Sequence, residues 1–239
     1  ARDMAARVSS KTDRVIAERL MVSPLFENMT VDDVHNCFTC SGALCLSFKK
    51  GDMIFTEEDE PTKLHILLEG GVRIGYDSFD GNRRIIGNFT DTGEVFGDIL
   101  LFLGKEKYGV FAQATCDTKV IALPREFMSG TCASGCGYHN HLINNMLMSF
   151  ARNAYALNMR LRILSCPTLR QKIAKMLLVY NDRDMSKPIN MTREGLAEFL
   201  GVTRPSVSRE LMKMQDDGLI EIKGRKIYVL DPAEIEALN

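Results

Sequence analysis

The sequence lacks any apolar run approaching the roughly 20 residues that a membrane-spanning helix needs, so a helical membrane protein is excluded. The first twenty residues, ARDMAARVSSKTDRVIAERL, are charged throughout and lack the apolar core of a signal peptide. An exported protein is therefore not expected, and the cytoplasm is the expected compartment. The start at Ala1 is read as loss of an initiator Met or as trimming. Excess charge is also missing. The net charge is −1, which argues against a general polyanion binder. Residues 166–239 carry 12 basic and 11 acidic side chains, so any contact with nucleic acid must rest on where the charges sit. There are no internal repeats, low-complexity tracts, catalytic triad or phosphate loop, and no carboxylate pair with a credible substrate cleft. An enzyme is not expected. The seven cysteines are odd in number and without an export signal, so reduced thiols are the default.

What is present is ordinary for a globular protein. The 239 residues are 45% hydrophobic and 26% charged, enough for one or two domains that bury a core without a disulfide or metal staple. Residues 1–40 read as short helices, with Val31, Val34 and Phe38 at helical spacing after the capping candidate Thr30. From Ala43 to Leu123 short strands alternate with turn residues: ALCLSFKK before Gly51-Asp52, LHILLEG before Gly71, VRIGYDSF turning at Asp80-Gly81 into RRIIGNF, then GEVFG, VFAQATC and KVIALP. That spacing predicts a compact all-β sandwich or barrel. From His139 to Ser165 a long helix is predicted. Leu142, Met146, Phe150, Asn153, Leu157, Leu161 and Leu164 form one stripe, with Ile143, Leu147, Ala151 and Ala154 beside it. Two arrangements are open: one stripe packs on the strands while the other meets a second copy, or both form a single wide core-facing stripe. Pro167 breaks the helix and Thr168 can cap the next. The expected organisation is 1–138, 139–165 and 166–239. Leu169–Tyr180 reads as helix and NDRDMSKPIN as a polar loop.

The C-terminal segment carries the most specific pattern. Thr192 caps a helix to about Leu200, Gly201 stops it, and Thr203 caps a second helix to about Asp217 with Pro205 in its first turn. Two helices across a tight glycine turn are a helix-turn-helix. Leu196, Leu200, Val202, Val207 and Leu211 form the inner faces, and LIEIKGRKIYVL reads as a two-stranded wing around Gly224. The second helix is expected in a DNA major groove with Arg204, Ser206, Arg209 and Lys213 outward. Arg209 suits bidentate contact with guanine. Ser206, Ser208, the amides near Thr192, and Lys223, Arg225 and Lys226 of the wing suit phosphates. A winged helical pair used only for protein contacts is the bland alternative.

The segments FKKGDMIFTEEDEPTKLHILLEGGVRI, GEVFGDILLF and MTREGLAEFLGVTRPSVSRELMKMQDDGLI resemble the Crp/Fnr family of bacterial transcription regulators over nearly the whole chain. The resemblance implies an α+β fold: an N-terminal double-stranded β-roll (a cyclic-nucleotide-binding-like jelly roll), a long dimerisation helix and a C-terminal winged helix-turn-helix. It also implies a homodimer, a double-stranded DNA operator, RNA polymerase as a partner, no membrane contact, and a small-molecule effector between roll and helix. Arg204 and Arg209 match the arginines with which the cyclic-AMP receptor protein reads DNA, and Ser208-Arg209 matches the serine-arginine pair of the fumarate-nitrate reduction regulator. Pro205 replaces a glutamate that both use, which removes an acceptor for cytosine and implies a different operator. Tyr108-Gly109 stands where cyclic-AMP binders carry an Arg-Ser pair for the phosphate, and Leu157-Asn158 where they carry a Thr-Ser pair for adenine. Cyclic AMP is therefore not the expected effector. A smaller or more apolar molecule is, lined by Gly97, Asp98, Ile99, Phe102, Tyr108, Gly109, Leu157 and Asn158. A roll closed without any effector is the competing reading.

Cys37-x2-Cys40-x4-Cys45 resembles an iron–sulfur ligand run, with Cys116, Cys132 or Cys136 as the available fourth ligand. None of these matches the family position, so small buried thiols are favoured over a cluster. A redox, iron–sulfur or metal-sensing regulator that uses Cys37, Cys40 and Cys45 is the alternative function. His139-x-His141 suits a metal if it lies on a loop. A cupin-like metalloenzyme ranks last, because His65 is the only strand histidine.

Overall fold

The computed structural model describes residues 5–7, 10–78, 81–129, 137–181 and 187–238. It divides into two compact units, Ala1–Phe150 and Ala151–Asn239.

In the first unit a short strand β1 (Ala5–Arg7) and helices α1 (Ser10–Leu20) and α2 (Val31–Ser41) precede the sheet strands β2 (Leu44–Phe48), β3 (Met53–Phe55), β4 (Lys63–Glu69), β5 (Val72–Asp77), β6 (Arg83–Phe89), β7 (Val95–Phe96), β8 (Phe111–Ala114) and β9 (Thr118–Pro124). Short helices α3 (Asp98–Phe102) and α4 (Arg125–Ser129) interrupt or follow them, and the long helix α5 runs from Gly137 to Leu164. Thr30 caps α2 as its spacing predicts: the Asp33 N–H donates to Thr30 Oγ1 at 3.1 Å, and the Thr30 N–H donates to Asp33 Oδ2 at 2.9 Å. The strands form two antiparallel sheets, β1-β2-β9-β4-β7 and β3-β8-β5-β6, which make the double-stranded β-roll.

The roll has two apolar layers because β4 and β9 bury both faces. Leu64 pairs with Leu123 and Ile66 with Ile121, and these four side chains pack outward with α1, α2 and α5 through Leu20, Phe38, Leu142 and Met146. The alternate residues Leu67, Val120 and Ala122 point into the roll, against Phe55, Val72, Phe96 and Tyr108. Two-residue alternation is what a strand dictates. Strands β1, β3 and the short helix α3 carry too few residues to show a period, and the sequence does not reveal them. Asp80, Cys132 and Cys136, and positions 182–186 of the polar loop, lie outside the described residues.

The long helix departs from a single continuous core stripe. Leu142 and Met146 are buried and Phe150 is half-buried, yet Leu157 and Leu161 are exposed, as is Tyr155. Periodicity shows that a stripe exists but not which neighbour covers it. The sequence also assigns the helix a segment of its own; in the structure its first half belongs to the first unit and its second half to the second.

The second unit contains α6 (Leu169–Tyr180), β10 (Ile189–Asn190), α7 (Arg193–Leu200), α8 (Arg204–Asp216), β11 (Ile220–Lys223), β12 (Lys226–Val229) and α9 (Pro232–Ala237). Its core gathers Ile173, Leu177, Leu196, Leu200, Val207, Leu211, Ile220 and Ile227. Thr168 caps α6, receiving the Gln171 N–H at 3.2 Å. The three strands pair in the order β10-β12-β11. No helix of the described residues is long and apolar enough to cross a membrane.

Candidate nucleic-acid interface and β-roll site

Local chemistry builds the helical pair of the second unit. The Gly195 N–H donates to Thr192 Oγ1 at 3.0 Å and starts α7. Gly201 ends it at φ 65°, in the left-handed region that favours glycine. Thr203 starts α8, accepting the Ser206 N–H at 3.4 Å and sharing a hydrogen bond with the Ser206 hydroxyl at 2.9 Å. Leu196, Leu200, Val207 and Leu211 are buried and Val202 is half-buried. Their burial turns Arg204, Arg209 and Lys213 to solvent, with Ser206 and Ser208 half-buried. In the wing, Lys223 faces Lys226 across Gly224 at φ 65°. Lys223, Arg225 and Lys226 are exposed. Lys223 pairs with Glu221 at 2.8 Å, which raises the ammonium pKa, and lies 5.4 Å from the Tyr228 ring centroid.

The arginines differ in their surroundings. Arg209 makes no hydrogen bond or ion pair with the described residues. Arg204, expected to point outward, does so but is ion-paired: its Nε lies 2.7 Å from Glu194 Oε1. Both side chains are more than 60% exposed, so the pair is worth about 0–1 kcal/mol and can be exchanged. It lines a cleft of about 200 Å³ with Thr192, Arg193, Gly224 and Arg225. The sequence also conceals a clamp behind α8. Arg170 of α6 donates to Glu210 and to Asp217, each at 2.7 Å, in a less exposed setting. Forty residues separate Arg170 from Glu210, beyond any local spacing rule.

In the first unit, six of the residues named for an effector lie on or near α3. Gly97 takes φ 77° before α3. Asp98 is half-buried, and burial raises its carboxyl pKa. Ile99 and Phe102 are exposed, with Phe102 edge-on to Phe150 at 5.6 Å. Tyr108 is buried and stacks on Phe55 at 3.8 Å; its hydroxyl donates to the Lys63 carbonyl at 3.4 Å. Burial pushes its phenol up to about 12. Gly109 has φ 62°, and its N–H donates to Glu57 O at 2.8 Å. A Cβ on Gly97 would lie 3.4–3.5 Å from Phe55, His65 and Tyr108, so this backbone rests on an aromatic cluster. His65 sits 5.3 Å from Phe96 and 5.5 Å from Phe55, with Nδ1 buried and unpartnered. These six residues include no cation and one carboxyl. The remaining two, Leu157 and Asn158, belong to the second unit and are exposed.

Cys37 is buried and Cys40 exposed on α2, while Cys45 is half-buried on β2 with a thiol pKa raised by burial. Among the described residues no group of three or more His, Cys, Asp or Glu side chains could hold a metal ion. His139 and His141 lie on α5 and not on a loop. Two residues apart, they face different sides of the helix. His139 is buried and stacked on Phe127 at 4.4 Å, and His141 is exposed.

Two family models match the chain: the cyclic nucleotide-binding domain over residues 45–134 and the Crp-like helix-turn-helix domain over 171–238. The nitrogen fixation regulation protein FixK of Bradyrhizobium diazoefficiens is 26% identical over 201 residues, covering 80% of each chain. The cyclic AMP receptor protein of Thermus thermophilus is 24% identical over 222 residues, covering 90% of this chain and 96% of its own. The crystal structure of the Thermus thermophilus catabolite activator protein superposes with a TM-score of 0.50 at 23% identity, covering 90% of this chain and 98% of that one. A β-roll joined to a winged helix-turn-helix is the architecture of a DNA-binding transcription regulator with an effector-type domain. The chain belongs to the Crp/Fnr family of transcription regulators.

Proposed function

We propose that the protein is a homodimer that binds a two-fold operator through α8 and is gated by a small, apolar or uncharged molecule held in the β-roll. The observation that carries the DNA contact is Arg209: an exposed guanidinium on the outer face of α8, free of partners among the described residues, beside Ser208 and Lys213. Arg204 and Arg209 read base edges, Arg209 as a bidentate partner of guanine. Thr192, Thr203, Ser206, Ser208, Lys213, Lys223 and Arg225 hold phosphates. The exposed Leu147, Tyr155, Leu157 and Leu161 of α5 support contact with a second copy, since apolar side chains repeated along one helix gain by being covered. RNA polymerase is the further partner. In the β-roll, Gly97, Asp98, Ile99, Phe102, Tyr108 and Gly109 hold the effector. The aromatic floor and the missing cation favour a molecule other than cyclic AMP. Gating requires only that the effector bind the DNA-competent state more tightly than the other.

Selection from random duplexes, with and without cell metabolite extract, tests this reading. The expected product is a symmetric site with half-sites about one turn, roughly 34 Å, apart, enriched differently when effector is present. Arg209→Ala is expected to lose about 1–3 kcal/mol of preference at one symmetric pair of positions. Unaltered preference in that variant overturns the assignment.

A further inference from the structure

We infer that Glu194 positions Arg204 for base readout and thereby sets part of the sequence preference. This rests on the reading that α8 enters the groove. Glu194 belongs to the first turn of α7, and Arg204 opens α8. The glycine turn at 201 brings these two helix starts together, so the ion pair spans the motif rather than one helix. The carboxylate approaches the guanidinium at its Nε edge, Nε to Oε1 at 2.7 Å. Guanidinium is a planar fork of five N–H donors. A carboxylate at the inner edge leaves the two terminal nitrogens to face a guanine O6 and N7.

Two effects follow. An otherwise free arginine must be ordered on binding, and an arginine already held by a neighbour loses less freedom when it meets its base. The carboxylate also sits beside the cations Arg193 and Arg225 that line the same cleft. On a duplex without the matching base, Arg204 stays neutralised by Glu194 and displaces few counterions, so the non-specific complex is the weaker one. Glu194 thus acts as an orienting group and as a filter against unmatched DNA.

The test compares wild type, Glu194→Ala, Glu194→Gln, Arg204→Ala and the double variant Glu194→Ala/Arg204→Ala, all as full-length protein. Each is titrated with the operator recovered by selection, with single-base variants of it and with an unrelated duplex, and its thermal stability is recorded. Glu194→Ala is expected to cut the ratio of operator to unrelated-duplex affinity about two- to fivefold, with the loss concentrated at the base pair read by Arg204. Glu194→Gln, which keeps a carbonyl acceptor, restores most of that ratio. The double variant is expected to match Arg204→Ala. An equal rise in affinity for every duplex in Glu194→Ala would reduce the residue to a simple repulsive charge and overturn the inference. So would full retention of the base preference in Glu194→Ala when Arg204→Ala abolishes it. If Arg204→Ala itself leaves every base preference intact, Arg204 does not read the groove and the parent reading of this residue fails with the inference.

Discussion

The buried imidazole of His65 makes the stability of the first unit depend on pH below neutrality. It is 5% exposed on β4, between the rings of Phe55 and Phe96, and Nδ1 has no hydrogen-bond partner. Burial, reinforced by the Lys63 charge, lowers its pKa from 6.5 to about 3. The unfolded chain therefore takes up this proton as pH falls through 6.5, while the folded chain refuses it until near pH 3. Between those values the unfolded state binds more protons, so stability rises with pH across the window and is complete above about 6.5. At pH 5 the unfolded state has gained about 1.5 pH units of protonation, or about 2 kcal/mol relative to pH 7.5. Urea titrations at pH 7.5 and 5.0, read by hydrogen exchange of β4 peptides, measure the change for wild type and for His65→Phe. An apolar ring has no proton to bind, and the neighbours of His65 are already aromatic. Wild type is expected to lose about 2 kcal/mol more than the variant on acidification. Parallel pH profiles in the two proteins would refute the reasoning, because every other titrating group is common to both.

Each unit has its own apolar core. Leu211→Ala opens a cavity in the second unit, where Leu211 is 1% exposed; it is expected to cost about 2–5 kcal/mol there, with exchange from β4 in the first unit unchanged. Gly70→Ala places a Cβ 2.5 Å from the Asp117 carbonyl at φ +98°. It is expected to destabilise the first unit well beyond Gly51→Ala, which has a similar φ of +92° but open space around it, and equal melting temperatures for the two variants would contradict this. On the wing, Lys226→Ala is expected to weaken binding to all duplexes alike and to reduce the slope of log affinity against log salt by about 1; a loss confined to one base position would identify Lys226 as a base reader instead.

Much of the fold could be read along the chain because its signals are short in range. The caps at Thr30, Thr168, Thr192 and Thr203 each close over three residues. Gly201 needs only its own positive φ, and β4 and β9 need only two-residue alternation. These rules place the helix-turn-helix, the wing and the roll strands, and with them the outward direction of Arg209. Gly97, Asp98, Ile99, Phe102, Tyr108 and Gly109 became effector candidates through the resemblance and not through spacing, and the first four lie on or just before α3. Linear spacing did not show that Tyr108 lies flat on Phe55 or that His65 loses its proton affinity.

Those features depend on which distant segments meet. An ion pair such as Arg204 with Glu194, or the bridge from Arg170 to Glu210 and Asp217, exists only when two helices approach at a particular angle. No periodicity encodes that angle. The uncovered Leu157 and Leu161 make the same point from the other side. A helical repeat states that an apolar face exists, whereas burial is a property of the neighbour. Local hydrogen-bond geometry and residue period therefore suffice to name the elements and the helical pair. The charge partners, the desolvated imidazole and the open face of the long helix arise only once the chain is folded.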